Sequence, residues 1–154
     1  MRQLSENGLA FIKGFETFEP LPYDDGYGYP TVGYGHLILP GEDFSKGLTE
    51  PQAAALFERD LMKYKDCVLR RTPVPLEDGM YDALVSLCFN IGTGAYGSST
   101  LRRMVVRGDH AGAIGQFPRW NKAAGRVSRG LTRRRYAEAQ MYAQGLRWLL
   151  AEGD

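Results

Sequence analysis

Apolar positions along the chain recur mostly at helical spacing. Leu9, Ile12 and Phe15 fall on one side of a first helix over about residues 5–15, with Ser5 as its cap and Glu16 at its C-terminal end. A longer stripe, Leu56, Phe57, Leu61, Tyr64, Cys67 and Val68, predicts a helix over about 50–70. Thr49 caps it, Gln52 completes a capping box, and Pro51 is tolerated in the first turn. At ~1.5 Å per residue it is roughly 30 Å long, enough to bridge two lobes. Past Pro73 and Pro75, Met80, Leu84, Leu87, Cys88 and Ile91 mark a helix over about 76–91 that Gly92 stops. Ser98 or Ser99 caps 101–107, stopped by Gly108; Asp109 caps 110–117; Thr132 caps 133–144, stopped by Gly145. Residues 20–38, PLPYDDGYGYPTVGYGHLI, break the pattern. Their Gly, Tyr and Pro content and DDG turn predict a small antiparallel sheet of two or three short strands, with Pro22 and Pro30 limiting the pairing. Strands are expected nowhere else, so the class is α+β, mainly helical.

Composition narrows this. At 154 residues, with 44% hydrophobic and 12% aromatic content, the chain supports one packed domain or two small lobes sharing a core helix. No apolar run approaches the ~18 residues of a membrane span. The opening MRQLSENGLAFIKGFETF lacks the apolar core of a secretion signal, so the expectation is a soluble cytosolic protein or one that leaves the cytosol by another route. Cys67 and Cys88 both fall on apolar stripes and read as buried free thiols, not a disulfide framework. The two histidines, His36 and His110, have no ligand-spaced partners, so neither a metal site nor a cofactor is expected.

The net charge of +1 hides an asymmetry. Residues 1–100 carry 8 Lys/Arg against 14 Asp/Glu, and residues 101–154 carry 11 against 4. The basic third holds RRMVVR at 102–107 and RVSRGLTRRR at 126–135, which favours an anionic target: nucleic acid, phospholipid or cell wall.

The candidate chemistry lies at the junction of the first helix and the sheet. Glu16, Asp25 and Thr31 are spaced Glu-x8-Asp-x5-Thr. Two carboxylates and a hydroxyl there are a way to set an acid and a base on opposite sides of one scissile bond. Glu16 stands between Phe15 and Thr17-Phe18, where partial burial favours its protonated form and suits a general acid. Asp25, in a polar turn, suits a base that takes a proton from an attacking water, and the Thr31 hydroxyl suits holding that water. By spacing alone, Glu16 could equally be a helix-end residue, Asp25 a turn residue and Thr31 a strand hydroxyl. Asp24 neighbours Asp25, but adjacent strand positions face opposite ways.

The segment from Glu16 through Tyr23, Asp25 and Thr31-Val32-Gly33-Tyr34-Gly35-His36 resembles the active-site segment of the phage-type lysozymes, the endolysins of glycoside hydrolase family 24. The resemblance continues in Leu56-Phe57-Glu58-Arg59-Asp60, Leu87-Cys88-Phe89-Asn90-Ile91-Gly92, Ser99-Thr100-Leu101 and Gln116-Phe117-Pro118-Arg119-Trp120-Asn121. With Gly130-Leu131 and Arg133-Arg134-Arg135 it looks most like the endolysins of lambda-like phages, over about residues 5–145. It implies a lysozyme-like fold: a small N-terminal lobe with a short antiparallel sheet (about 15–48), a connecting helix (about 50–70) and a helical C-terminal lobe (about 72–154). It implies a muramidase cutting β-1,4 bonds between N-acetylmuramic acid and N-acetylglucosamine, with Glu16, Asp25 and Thr31 catalytic. It also implies a structural ion pair between His36 and Asp60, and sugar contacts at Leu37, Phe89 and Thr100. Trp120 and Asn121 are expected to shape the C-terminal core. The partners implied are peptidoglycan strands and, for access to the periplasmic wall from the host cytoplasm, a holin; nucleic acid and stable membrane insertion are not expected, and the state expected is a monomer. The alternatives are a lytic transglycosylase, a non-catalytic peptidoglycan-binding protein and a basic nucleic-acid-binding domain.

Overall fold

The computed structural model describes residues 1–153. In chain order the first elements are α1 (Glu6–Lys13), β1 (Glu19–Asp24), β2 (Pro30–Gly33), β3 (His36–Leu37), α2 (Glu50–Arg71) and α3 (Asp78–Ile91). They are followed by α4 (Thr93–Ser98), α5 (Thr100–Val106), α6 (His110–Gln116), a 3-10 turn (Phe117–Arg119), β4 (Lys122–Ala123), β5 (Arg126–Val127) and α7 (Arg129–Glu152). The chain falls into two compact units: Ala10–Lys63, and Met1–Leu9 together with the chain from Tyr64 on. The class is α+β and mainly helical.

In the small unit, Ile12, Val32, Tyr34, Ala53, Phe57 and Leu61 form the core. Of these, each fully buried Ile, Val, Leu or Phe side chain contributes about 1.5–3 kcal/mol. The sheet is antiparallel in the order β1-β2-β3. Tyr23 pairs with Thr31, and Thr31 with Leu37, so these three stand in one cross-strand row. The β1–β2 register slips between Glu19 and Tyr23, around Pro22, which has no N–H to give the ladder. The capping box at the start of α2 forms in both directions: Gln52 N donates to Thr49 Oγ1 at 3.3 Å, and Thr49 N donates to Gln52 Oε1 at 2.9 Å. Helix α1 ends two residues before Phe15, which is 41% exposed instead of buried and packs edge-on against Phe11.

In the large unit, Ser5 Oγ accepts from Gly8 N at 3.0 Å and itself donates to Asp82 of α3. Ser99 caps α5 through Arg102 N and Asp109 caps α6 through Gly112 N. Helices α3 and α7 pack over Met80, Tyr81, Leu84, Leu87, Ala139 and Tyr142. Cys67 and Cys88 are buried free thiols.

Three expectations fail here: the Thr132 cap, the Gly145 stop and the absence of further strands. Helix α7 is capped by Ser128, whose side chain accepts from Leu131 N, and it runs through Gly145 instead of stopping there. Gly145 lies where α7 crosses α3: a Cβ on it would fall 2.6 Å from Met80 N, and one on Gly79 would fall 2.7 Å from Met141 O. The glycines let two backbones approach, and neither ends a helix. A second hairpin, β4–β5, also exists outside the N-terminal region. Its turn places Ala124 at φ 51°, a conformation that residue type does not advertise.

Arg134 and Arg135, counted above in the basic third, are buried. Arg135 Nε sits 2.6 Å from Glu138 Oε1, and Ser86 Oγ donates to Glu138 Oε2 at 2.6 Å. Burial pushes the Glu138 carboxyl up and the Arg135 guanidinium down, while their mutual attraction opposes both shifts.

Candidate active site

The small unit carries an open pocket of about 370 Å³ lined by Tyr23, Asp25, Tyr29, Thr31, Gly35 and Leu37. Its floor is the cross-strand row Tyr23–Thr31–Leu37, which all face one side of the sheet. Asp24 does not line it. Both aspartates brace the loop between β1 and β2. Asp24 Oδ1 accepts from Gly26 N at 2.7 Å and Gly28 N at 3.1 Å. Asp25 Oδ1 accepts from Tyr27 N at 2.8 Å and Tyr29 N at 3.2 Å. Asp25 is exposed, and its turn holds the carboxylate in a fixed orientation at the pocket.

Thr31 is buried, 6% exposed, and its hydroxyl donates to Tyr29 O at 3.1 Å. With its proton committed there, the Thr31 oxygen presents acceptor lone pairs.

Glu16 is half-buried just past α1, its amide donating to Lys13 O at 3.0 Å. Gly35, at φ +76°, packs against it: a Cβ there would lie 3.3 Å from Glu16 Oε2. Gly35 therefore has the Glu16 carboxyl beside it and lines the Asp25–Thr31 pocket. Burial pushes the Tyr23 phenol up, and the carboxylates of Glu19, Glu16 and Asp25 push it the same way. Tyr23 is thus within electrostatic reach of both candidate catalytic carboxyl groups.

His36 is buried behind β3. Its Nδ1 lies 2.8 Å from Asp60 Oδ2, its Nε2 lies 3.0 Å from Glu42 Oε1, and its ring meets Phe44 edge-on. Burial alone would lower the imidazole pKa; the hydrogen bonds to Glu42 and Asp60 outweigh it and raise the value. Glu42 is in turn lowered, by the Leu39 amide and by His36. Glu42 carries no sequence signal: it comes from a loop six residues on.

Glu16, Asp25, Thr31 and Leu37 are thus brought together in the small unit. Phe89 and Thr100 belong to the large unit and do not line this pocket. Phe89 packs edge-on against Tyr64 at 5.1 Å, and Thr100 Oγ1 accepts from Arg103 Nη2 at 3.1 Å. Trp120 and Asn121 are half-buried instead of core. Trp120 lines a pocket of the large unit with Asn90, Ile91, Arg119, Lys122 and Leu131, and Asn121 donates to Thr132 Oγ1. Tyr29 is the pocket residue that the sequence reading passed over. Among the described residues, no group of three His, Cys, Asp or Glu is placed to hold a metal ion.

The model of the family described as phage lysozyme matches residues 13–138. The chain belongs to the phage lysozyme family. It is 34% identical over 142 residues to the endolysin of Salmonella phage P22, covering 90% of this chain and 97% of that one. It is 35% identical over 150 residues to the endolysin of Bacillus phage PZA, covering 93% of this chain but only 56% of that longer protein. Among solved structures, a P22 lysozyme variant superposes with a TM-score of 0.83 at 32% identity, covering 93% of this chain and 99% of that one. The muramidase domain of SpmX from Asticaccaulis excentricus gives 0.83 at 31% identity, covering 92% and 98%. As a phage lysozyme, this chain is a glycoside hydrolase of the peptidoglycan-degrading, endolysin kind.

Proposed function

We propose that this phage lysozyme is a muramidase that hydrolyses the β-1,4 bond between N-acetylmuramic acid and N-acetylglucosamine, with inversion at the anomeric carbon. The observation that carries the reading is Gly35. It packs on the Glu16 carboxyl and lines the pocket that Asp25 and Thr31 also line. Glu16 gives its proton to the glycosidic oxygen as the C–O bond breaks. A water in the pocket attacks the anomeric carbon. One of its protons passes to Asp25, and the other is directed to the Thr31 oxygen, whose own proton is turned to Tyr29 O. A held water, in place of direct carboxylate attack, leads to inversion. Leu37 meets the sugar in the pocket, and Phe89 and Thr100 are further sugar contacts in the large unit.

The test begins with Glu16→Gln, which nearly preserves shape while removing the proton. Turbidity loss of outer-membrane-permeabilised Gram-negative cells should slow by about 10²-fold or more at unchanged thermal stability. Wild-type turnover from the folded variant would remove Glu16 from the reaction. Proton NMR of the first-formed reducing end should show the α-anomer; an initial β-anomer means retention. Anhydro-sugar ends by mass spectrometry would make the enzyme a lytic transglycosylase.

The same reading has the protein act as a monomer on the periplasmic wall, released from the host cytoplasm by a holin. No helix among the described residues is long and apolar enough to cross a membrane. Expression in a Gram-negative host should lyse cells with a co-expressed holin and not without one. Lysis without it points to the signal-anchor-release route named in relatives such as the SAR-endolysin of Bacteriophage PS119, 34% identical over 135 residues.

A further inference from the structure

Glu16 lies three residues past the end of α1. Three residues around it form a closed set. Glu50 Oε1, in the first turn of α2, accepts from Lys13 Nζ at 2.8 Å and from Tyr34 Oη at 2.8 Å. Lys13 Nζ stands 4.8 Å from the centre of the Tyr34 ring. That ring is 9% exposed and packs against Phe18 and Phe57 at 5.5 and 5.9 Å. The set reaches Glu16 from two directions. Lys13 O accepts the Glu16 amide. Tyr34 is bonded to Gly35, the residue packed on the Glu16 carboxyl. Glu50 Oε1 thus joins the side chain of the residue that accepts the Glu16 amide to that of the residue before the glycine packed on the Glu16 carboxyl.

We infer that Lys13, Tyr34 and Glu50 are positioning residues for the general acid, fixing the Glu16 carboxyl against Gly35. This rests on the reading of Glu16 as the acid. Small misplacements of a catalytic group are costly, up to ~10²-fold per Å, so losing the set slows the chemical step without weakening substrate binding.

The test uses Tyr34→Phe and Glu50→Ala on the full chain, with solubilised peptidoglycan, well below each variant's melting temperature. Tyr34→Phe keeps the ring and its packing and removes one hydroxyl, so folding is preserved. The expected result is a drop of about tenfold in kcat with KM within about twofold. Glu50→Gln, which keeps an acceptor oxygen, should recover part of the loss. In a Glu16→Gln background, Glu50→Ala should cost no further rate, because the group it positions is already disabled. Lowered melting temperatures with unchanged kcat would make the set merely structural and overturn the inference. A full further loss in the Glu16→Gln background would also overturn it. Failure of the Glu16 reading is read separately, from Glu16→Gln alone keeping its turnover.

Discussion

At the scale of single residues, His36 is a buried titratable group held between two carboxylates, Glu42 and Asp60. Its folded pKa lies above the ordinary 6.5 because Glu42 and Asp60 together outweigh burial. A raised pKa means stability that is fully present below the unfolded value and is lost as pH climbs through the folded one. Glu42 behaves oppositely: its lowered pKa gives stability present above the ordinary 4.5 and lost as pH falls through the folded value. The cluster is therefore most stabilising between these ordinary values, at mildly acid pH. His36→Asn should lower the melting temperature most there, on the order of 5 °C, with the difference from wild type shrinking as pH rises past the folded His36 pKa. Melts from pH 4 to 9 with activity measured at 25 °C check this. A pH-independent difference would remove the charge from the explanation, and lost activity at unchanged stability would make His36 functional.

At the scale of elements, the crossing of α3 and α7 makes a prediction that a helix-stop reading of Gly145 reverses. Alanine within a helix is ordinarily better than glycine by about 0.5–1 kcal/mol. Here its methyl would meet Met80 N at 2.6 Å, so Gly145→Ala should destabilise by at least about 1–3 kcal/mol, or roughly 3–10 °C in melting temperature. An equal or higher melting temperature would show that the crossing relaxes freely. This locates what was legible in the sequence. The caps at Ser5, Thr49, Ser99 and Asp109 were readable because a cap is one acceptor two or three residues from its donor. That Glu16, Asp25 and Thr31 come close together was readable because one short segment carries all three, although their spacing alone left their roles open. Gly145 was not, because a glycine that admits another helix looks, in sequence, like one that ends its own. The β4–β5 turn was hidden behind Ala124. Glu42 on His36, and Glu138 under Arg134 and Arg135, depend on how separate segments come to pack.

At the scale of the whole molecule, charge is distributed by unit. Among the described residues the small unit carries 4 Lys/Arg against 9 Asp/Glu, and the large unit 15 against 8. Lys65, Asp82, Arg134, Arg135 and Glu138 are buried, so the outer surface of the large unit draws its charge from the others. A basic surface is attracted to the anionic polymers of a bacterial envelope, and salt screens that attraction. Raising ionic strength from about 0.03 M to about 0.3 M shortens the Debye length from roughly 18 to roughly 6 Å. Lysis of permeabilised cells should slow several-fold over that range, while cleavage of an uncharged glycan fragment should change little. Equal salt dependence for both substrates would show that wall attraction plays no part.

The loop of Asp25 has a practical use. With Oδ1 fastened to the amides of Tyr27 and Tyr29, only Oδ2 is left to receive a proton from the pocket. In the base role proposed for it, the carboxylate would work through one oxygen. In Asp25→Asn the same two amides decide which way the new side chain sits: they keep its carbonyl, and its NH2 replaces Oδ2. The pocket keeps its outline but presents a donor where it needs an acceptor. Such a variant should hold an intact glycan strand at close to wild-type affinity, within about threefold by calorimetry, and fail to cut it. That makes it a trap for the uncleaved substrate, and a loss of binding along with turnover would show that Asp25 also grips the sugar.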